Sequence, residues 1–437
     1  MNITFKTRTE TNEVGEFNIQ MLALPNSDIF KIEILNNFGS NIEKLFQEKT
    51  GINVAGASHL LEHMSFKSPR DYSSDSLLNK LKKYGIRNAG TSFDELAYFY
   101  KTTTENHLFA INAIVNVAYN DLKRVTQSEF ENERDVVINE IRRYHDDKQF
   151  MFELGIRAIN TNNDIHSNIL GDIEALQDLT LTDLQQFKHL YNNYPKKDIN
   201  IIYDPTKCDI DYVIENIISE IRSLHTSEEP IFDLKEYFDT STDLVPVGEY
   251  KNVHDPKQSM MGITFDIECD DDVRDVGNIY LKELSINNSM FKKIRDEKGL
   301  TYGVNLYRDF YAGKKLTLFS VDVTPGKEDL LLNTLGEVFN NCSEEYNEDI
   351  FQDNIKTLIL KDTLEKTNLL HYEKLFYMHI NTPERFKVIK DAAAIDASVV
   401  YKTAMEMQVT SEKVKKYLKD IKDAFNAKKY ILVRNKD

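Results

Sequence analysis

Apolar residues recur at helical spacing in several long stretches of the chain and cluster at strand length in others. Leu77 to Tyr84, Ser128 to Tyr144 and Glu348 to His379 carry the helical pattern, whereas Phe93 to Tyr100, Met260 to Ile267 and Leu316 to Val323 read as strands. Such alternation predicts an α+β protein in which helices are layered on mainly antiparallel sheets. Leu184, Phe187, Leu190 and Tyr191 mark a helix over Thr182 to Tyr191, followed by a short strand at Ile199 to Tyr203. The end of the chain repeats that order about 230 residues later, with a helical stripe at Val414, Tyr417, Leu418 and Ile421 and a β-prone run at Tyr430 to Val433. Two half-chain domains of similar design are therefore expected.

Between the halves, residues 225–249 lose periodicity and gather acids, Ser/Thr and two prolines. This gives a first domain over residues 1–224, a linker over 225–249 and a second domain over 250–437. With 437 residues, 41% of them hydrophobic, each half has enough apolar side chains for its own core.

The balance of 54 basic against 71 acidic residues leaves a net charge of −17, with no basic stripe. Nucleic acid and anionic membrane surfaces are thereby excluded as partners, because both require clustered cations. A basic peptide substrate fits the charge, and a solvated acidic exterior accounts for it equally well. Cys208, Cys269 and Cys342 lie far apart and form no CxxC pair, which points to packing residues in a reducing compartment. Met1 to Gln20 has no apolar core of a signal peptide, and no run reaches the roughly 18 apolar residues of a spanning helix. The expected protein is soluble and cytoplasmic.

Chemistry concentrates at Ser58-His59-Leu60-Leu61-Glu62-His63-Met64. On a helix, four residues at about 100° each bring His59 and His63 within roughly 40° of one another, as two zinc ligands require. Glu62 lies at the edge of that face, where its carboxylate can reach a water on the metal without ligating the ion. This is the inverted zincin order, HxxEH. A surface helix with two solvated histidines is the plainer alternative. Zinc would need one more protein ligand, commonly a carboxylate from another element. Ser128-Glu129-Phe130-Glu131 offers a capping box for a helix that runs through Glu133, Val136, Val137, Glu140, Ile141 and Tyr144. Glu133 and Glu140 are seven residues apart and share one side of it. Either both face the apolar side, where a divalent cation would relieve their burial, or the helix is rotated and both are solvated.

These residues resemble the pitrilysin-type, inverted-zincin metallopeptidases, the family of the mitochondrial processing peptidases and their bacterial relatives. The family pattern is HxxEH, then 76 residues, then a glutamate, and 76 residues separate His63 from Glu140. The resemblance implies that His59, His63 and Glu140 hold one zinc ion per chain, that Glu62 is the general base, and that Glu133 supports the site from the same helix. Asn88-Ala89-Gly90-Thr91-Ser92 looks like the family's NAxTS edge strand, which implies that Asn88, Ala89 and Thr91 bind an extended substrate by strand addition. Without the metal site it would read as a turn before an ordinary edge strand. Ile169-Leu170-Gly171 through Leu179 is similar to the family's ILGxxExLxxLT run and implies a structural role.

In the second half, the segment from Met290 to Tyr302 is similar to LFxxxRExxGLxY, with Arg295 and Tyr302 seven residues apart. By resemblance, both residues position substrate and stabilise its developing oxyanion; by spacing alone they are a surface Arg and a half-buried Tyr. That half has no HxxEH, in keeping with one catalytic and one metal-free domain. The family's GGxxSRL stretch appears here as Ile286 to Phe291, and proline is missing after Asp146-Asp147. A clam-like chamber is implied, closed within the chain or by a second subunit, so that a homodimer or a heterodimer with a related subunit is expected.

The function read from these residues is a zinc metalloendopeptidase acting on unfolded peptides. A non-catalytic subunit or peptide-binding scaffold of the same fold is the alternative from another class, although such subunits tend to lose the ligands or the base. A zinc hydrolase of non-peptide amides would share the chemistry without needing the edge strand.

Overall fold

The strand-length runs pair into two sheets in a computed structural model that describes residues 4–160, 169–225, 247–252, 259–284, 289–301, 303–311, 314–365 and 409–435. The first sheet contains β1 (Thr4–Asn12), β2 (Gly15–Ala23), β3 (Ile29–Asn36), β4 (Gly85–Thr91), β5 (Leu96–Thr103) and β6 (Lys196–Tyr203), in the order β1-β2-β6-β3-β5-β4. The second contains β7 (Gly248–Asn252), β8 (Ser259–Phe265), β9 (Asn305–Tyr311), β10 (Lys314–Val323) and β11 (Ile431–Asn435), in the order β7-β11-β8-β10-β9. The architecture is the expected α+β, with mainly antiparallel sheets.

The internal repeat is visible in the pairing. β6 runs parallel to β2 and antiparallel to β3, and β11 runs parallel to β7 and antiparallel to β8. Each inserted strand follows a helix whose buried apolar side chains are those of the sequence stripe: Leu184, Phe187, Leu190 and Tyr191 on Leu181–Asn193, and Val414, Tyr417, Leu418 and Ile421 on Ser411–Asn426. Among the described residues, the second sheet thus repeats the first without a counterpart of β1.

By contact the chain divides into two compact units, Met1–Arg143 with Ile165–Ser241, and Tyr144–Asp164 with Thr242–Asp437. Most of the expected linker lies outside the described residues. Tyr144–Asp164 departs from a division made at one linker. Its helix Lys148–Asn160 buries Phe152 and Ile156 against Met260, Leu318, Ile431 and Val433 of the second unit. Gly262 admits it, because a Cβ there would lie 2.3 Å from Ile156 Cδ1.

Two element starts differ from the sequence pattern. The strand expected from Phe93 begins at Leu96, because the Ser92 amide donates to the Glu95 carbonyl at 2.8 Å and closes the β4–β5 turn. The helix expected from Ser128 begins at Gln127 under a capping box two residues earlier. There the Thr126 Oγ1 accepts from the Glu129 amide at 3.2 Å and Glu129 Oε2 accepts from the Thr126 amide at 2.9 Å. The helix expected over 348–379 is described as Glu348–Glu365, and its remainder lies outside the described residues. Within the first unit, helix His107–Ala118 packs on β3 and β5 and is backed by Ile210–Leu224. No helix among the described residues is long and apolar enough to cross a membrane.

Candidate metal centre

The HxxEH residues form the short helix Ala57–Met64. Eight residues are too few to hold a helix by propensity alone, so tertiary contacts must fix both ends. At its start, the buried Glu43 takes the place of an N-cap side chain: Oε2 accepts from the Gly56 amide at 2.9 Å and Oε1 from the Ser58 amide at 2.8 Å. Burial pushes the Glu43 carboxyl up to about 7, and the two amide bonds pull it the other way. At the helix end, the buried Lys188 donates to Ser65 Oγ at 3.3 Å and to the Ala118 carbonyl at 2.9 Å. Burial pulls that ammonium down to about 7. An anion at the N-terminus and a cation at the C-terminus both suit the helix dipole.

Removal of the Glu43 carboxylate would strand two buried amides. Glu43→Ala is therefore expected to lower the local opening free energy of this helix by about 2 to 4 kcal/mol. Hydrogen exchange at Gly56 and Ser58 measures it, and unchanged exchange at both amides would remove Glu43 from this role.

Two glycines let a distant loop reach the same helix. Gly56 (φ +94°) and Gly171 (φ +86°) occupy the left-handed region, and a Cβ on Gly171 would lie 2.1 Å from the Gly56 Cα. This backbone contact sets Leu170 close to His59, whose buried Nδ1 makes no hydrogen bond among the described residues.

The distant acids come from helix Gln127–His145, which buries Phe130, Val137, Ile138 and Ile141 and leaves Val136 49% exposed. Glu133 and Glu140 lie at the edge of that buried face, neither enclosed nor fully solvated, with side chains 15% and 25% exposed. The start of this helix is tied to the chain just after the HxxEH helix. Glu129 Oε1 accepts from Ser68 Oγ at 3.0 Å and from Ser74 Oγ at 2.5 Å. Asn120 Nδ2 steadies that same segment by donating to the carbonyls of Ser65 at 3.0 Å and Lys67 at 2.7 Å.

His59, His63 and Glu140 offer three ligand atoms that all lie within 4.8 Å of one another. Glu140 Oε2 is 3.8 Å from His59 Nε2 and 3.6 Å from His63 Nε2. Bonds of about 2.0–2.1 Å in a tetrahedron would set such donors roughly 3.3–3.4 Å apart, so the donor set fits a zinc ion with small adjustments. The other Glu140 oxygen accepts from Arg143 at 3.4 Å.

Three further contacts shape the site. His63 Nδ1 lies 2.9 Å from Glu133 Oε1, and Lys67 Nζ donates to Glu133 Oε2 at 2.5 Å. The His63 hydrogen bond, aided by Lys67, holds the Glu133 carboxyl down to about 2, so Glu133 is an acceptor and His63 Nδ1 carries the proton. That tautomer leaves Nε2 open toward Glu140. Thr91 Oγ1 donates to Glu62 Oε2 at 2.8 Å. Burial, with the Glu140 charge beside it, raises the Glu62 pKa against the Thr91 bond and the His63 charge.

The two imidazoles differ. Burial, followed by the neighbouring His63, lowers His59 to about 4, while the nearby Leu170 backbone opposes the shift. Burial also acts downward on His63, but the Glu133 hydrogen bond and the charges of Glu133, Glu62 and Glu140 outweigh it and leave the pKa raised.

Among the substrate-binding candidates, Asn88, Ala89 and Thr91 lie on β4, which among the described residues is the edge of its sheet, paired with β5. Asn88 is exposed, and Thr91 is held against Glu62. Arg295 is in the second unit, in the helical turn Phe291–Glu297, with its guanidinium carbon 4.5 Å from the Phe291 ring centroid. Tyr302 lies outside the described residues. Sequence reasoning missed Glu43, Lys67, Lys188 and Glu129. Only Lys67, four residues after His63, and Glu129, in a second T-x-x-E frame, left any signal in the sequence.

The insulinase family (peptidase family M16) matches residues 48–172, which include His59, Glu62, His63, Glu133 and Glu140. Zinc protease PqqE of Helicobacter pylori is 28% identical over 191 residues, 42% of this chain and 40% of that protein. The mitochondrial-processing peptidase subunit beta of Saccharomyces cerevisiae is 24% identical over 212 residues, 48% of this chain and 43% of that protein. The aligned stretches span less than half the length of these two relatives. Among solved structures, a protease from Helicobacter pylori has a TM-score of 0.74 at 17% identity, covering 99% of this chain and 100% of that one. A structure described as the inactive domain of a peptidase M16 from Pseudomonas fluorescens has a TM-score of 0.66 at 12% identity, covering 98% and 97%. At these identities the structural likeness shows the fold alone.

Proposed function

The chain is related to the insulinase family, peptidase family M16, through residues 48–172, and on that premise we propose that it is a zinc-dependent metallopeptidase that hydrolyses unfolded peptides. The observation that carries this reading is the convergence of His59, His63 and Glu140 on one point, with Glu62 held beside them by Thr91. A bound zinc ion would supply Lewis acidity, polarising a carbonyl oxygen and acidifying water.

The remaining work falls to the chain's own groups. His59, His63 and Glu140 would hold the ion, and Glu133 fixes the His63 tautomer for that task. Glu62 accepts a proton from the attacking water and returns it to the leaving nitrogen, for which a raised carboxyl pKa is suited in both directions. The edge of β4, unpaired among the described residues, offers main-chain groups to an extended peptide near Glu62. Roles for Arg295 and Tyr302 in positioning and oxyanion stabilisation rest on the family resemblance alone. A non-catalytic scaffold has one observation in its favour, the neighbour described as an inactive domain. The retained ligands and base weigh against it.

The test combines metal content, activity and pH. The purified chain should hold a single zinc ion, lose peptide hydrolysis on chelation and regain it on zinc addition. Hydrolysis that survives complete metal removal would overturn the reading. His59 is already neutral above about 4, so near neutrality the proton competing with metal is the one on His63. Zinc affinity should therefore fall about tenfold per pH unit below the His63 pKa, the slope of one proton. A two-proton slope would contradict the assigned electrostatics.

A further inference from the structure

We propose that Arg87 is a specificity-determining residue that favours peptides carrying an acidic side chain a few residues from the scissile bond. This inference deepens the peptidase reading and rests on it. Arg87 stands on β4, four residues before Thr91, so alternation puts both side chains on the same face of the strand. That face is the one toward the metal centre, since Thr91 Oγ1 reaches Glu62. The contact made by Arg87 agrees: its guanidinium carbon lies 4.7 Å from the centroid of the Phe66 ring, three residues beyond His63. Phe66 is itself 6% exposed and so forms a fixed shelf under the guanidinium.

Stacking on a ring holds the planar fork by its face and leaves its edge donors free for hydrogen bonding. Among the described residues, no carboxylate lies within ion-pair distance of Arg87. Glu133 is close enough to favour its charge, but its two oxygens are already taken by His63 and Lys67. An exposed, oriented guanidinium without an acid partner, on the substrate-facing side of an edge strand, is built to receive a carboxylate in bidentate fashion. At about 3.3 Å per residue, Arg87 is roughly 13 Å along the strand from Thr91. A peptide added to β4 with its reacting bond near Glu62 would therefore meet Arg87 with a side chain two to four residues away. The net charge of −17 acts on the whole peptide at any register, whereas Arg87 acts at one position.

The experiment uses the zinc-loaded full chain and a set of peptides in which Glu or Gln is placed at each of four positions on either side of the scissile bond. The ratio of kcat/KM for Glu over Gln should reach about fivefold to tenfold at one position, between the worth of an exposed ion pair and that of a bidentate one. It should fall to about one in Arg87→Gln, and Arg87→Glu should prefer Lys over Gln at the same position. Each ratio is read within one protein, so a general loss of activity or stability cancels. The same peptides are also bound to the Glu62→Gln chain with and without Arg87→Gln, by fluorescence anisotropy. Hydrolysis with equal Glu and Gln ratios at all positions overturns the role of Arg87 and leaves the peptidase reading intact. An Arg87-dependent preference in binding without hydrolysis by the wild type sinks the peptidase reading and keeps Arg87 as a recognition residue. Failure of both hydrolysis and peptide binding overturns both.

Discussion

Glu62→Gln is expected to reduce peptide hydrolysis by about 10²- to 10⁴-fold while zinc stays bound. The substitution keeps the shape of the side chain and an oxygen for the Thr91 hydroxyl, which now donates to Glu62 Oε2 at 2.8 Å. It removes the ability to take up a proton. In the assigned mechanism that proton must leave the attacking water and later reach the leaving nitrogen, so an amide fails at both steps. None of the three converging ligand atoms belongs to Glu62, and metal content should not change. Removal of its negative charge also relieves one source of the raised His63 pKa, so zinc binding should hold to slightly lower pH than in the wild type. The measurement is kcat/KM on a good peptide beside zinc content in the same preparation. A wild-type rate in a zinc-replete Glu62→Gln chain would move the base to another group. Loss of zinc together with rate would mean that Glu62 contributes to the metal shell.

The parts of this centre that could be read from sequence are those that depend on spacing within a single helix. HxxEH at one turn and two glutamates seven apart are geometric statements once a helix is assumed, and the apolar positions supplied that assumption. The orientation of Gln127–His145 stayed open in the sequence because a glutamate is most often an exposed residue, so spacing alone could not choose between a buried and a solvated face. In the structure Val136 is exposed, Val137, Ile138 and Ile141 carry the packing, and both acids come to the edge. The start of that helix was ambiguous for another reason. Thr126 to Glu129 and Ser128 to Glu131 both spell a capping box, and the first prevails because Glu129 also binds the hydroxyls of Ser68 and Ser74.

What could not be read are contacts made by backbone or by buried ions across long separations. Glu43 caps a helix thirteen residues downstream through two amides, which leave no residue-type signature. Leu170 lies against the start of the His59 helix only because Gly56 and Gly171 allow their backbones to touch. Tyr144–Asp164 joins the second unit through Phe152 and Ile156, two apolar residues that composition alone would assign to the nearer core. The fold class, by contrast, followed from the repeated order of helix and strand, because β6 and β11 enter their sheets in the same way.

Glu140→Ala and Glu133→Ala should separate holding the metal from orienting its ligands. Glu133→Ala is expected to weaken zinc binding by about 10- to 100-fold, the usual effect of losing a partner that orients a ligating imidazole. Glu140→Ala should cost more than that, because it removes one of the three converging donors and leaves only His59 and His63. The two variants should also differ in their pH dependence. Glu133 is the main source of the raised His63 pKa, through a hydrogen bond and through its charge, whereas Glu140 contributes a weaker charge effect. Without Glu133 the imidazole loses its proton at lower pH than in the wild type. Over the interval between those two pKa values the wild type pays a proton penalty on binding zinc and the variant does not. The affinity gap between Glu133→Ala and wild type should therefore narrow as pH falls through that interval, while the gap for Glu140→Ala stays comparatively flat. Zinc titration against a competing chelator of known affinity, from pH 5 to about 8, gives both curves. If Glu140→Ala binds zinc as tightly as the wild type across that range, the 3.6 and 3.8 Å separations from the imidazoles do not reflect shared ligation, and the third donor must lie elsewhere.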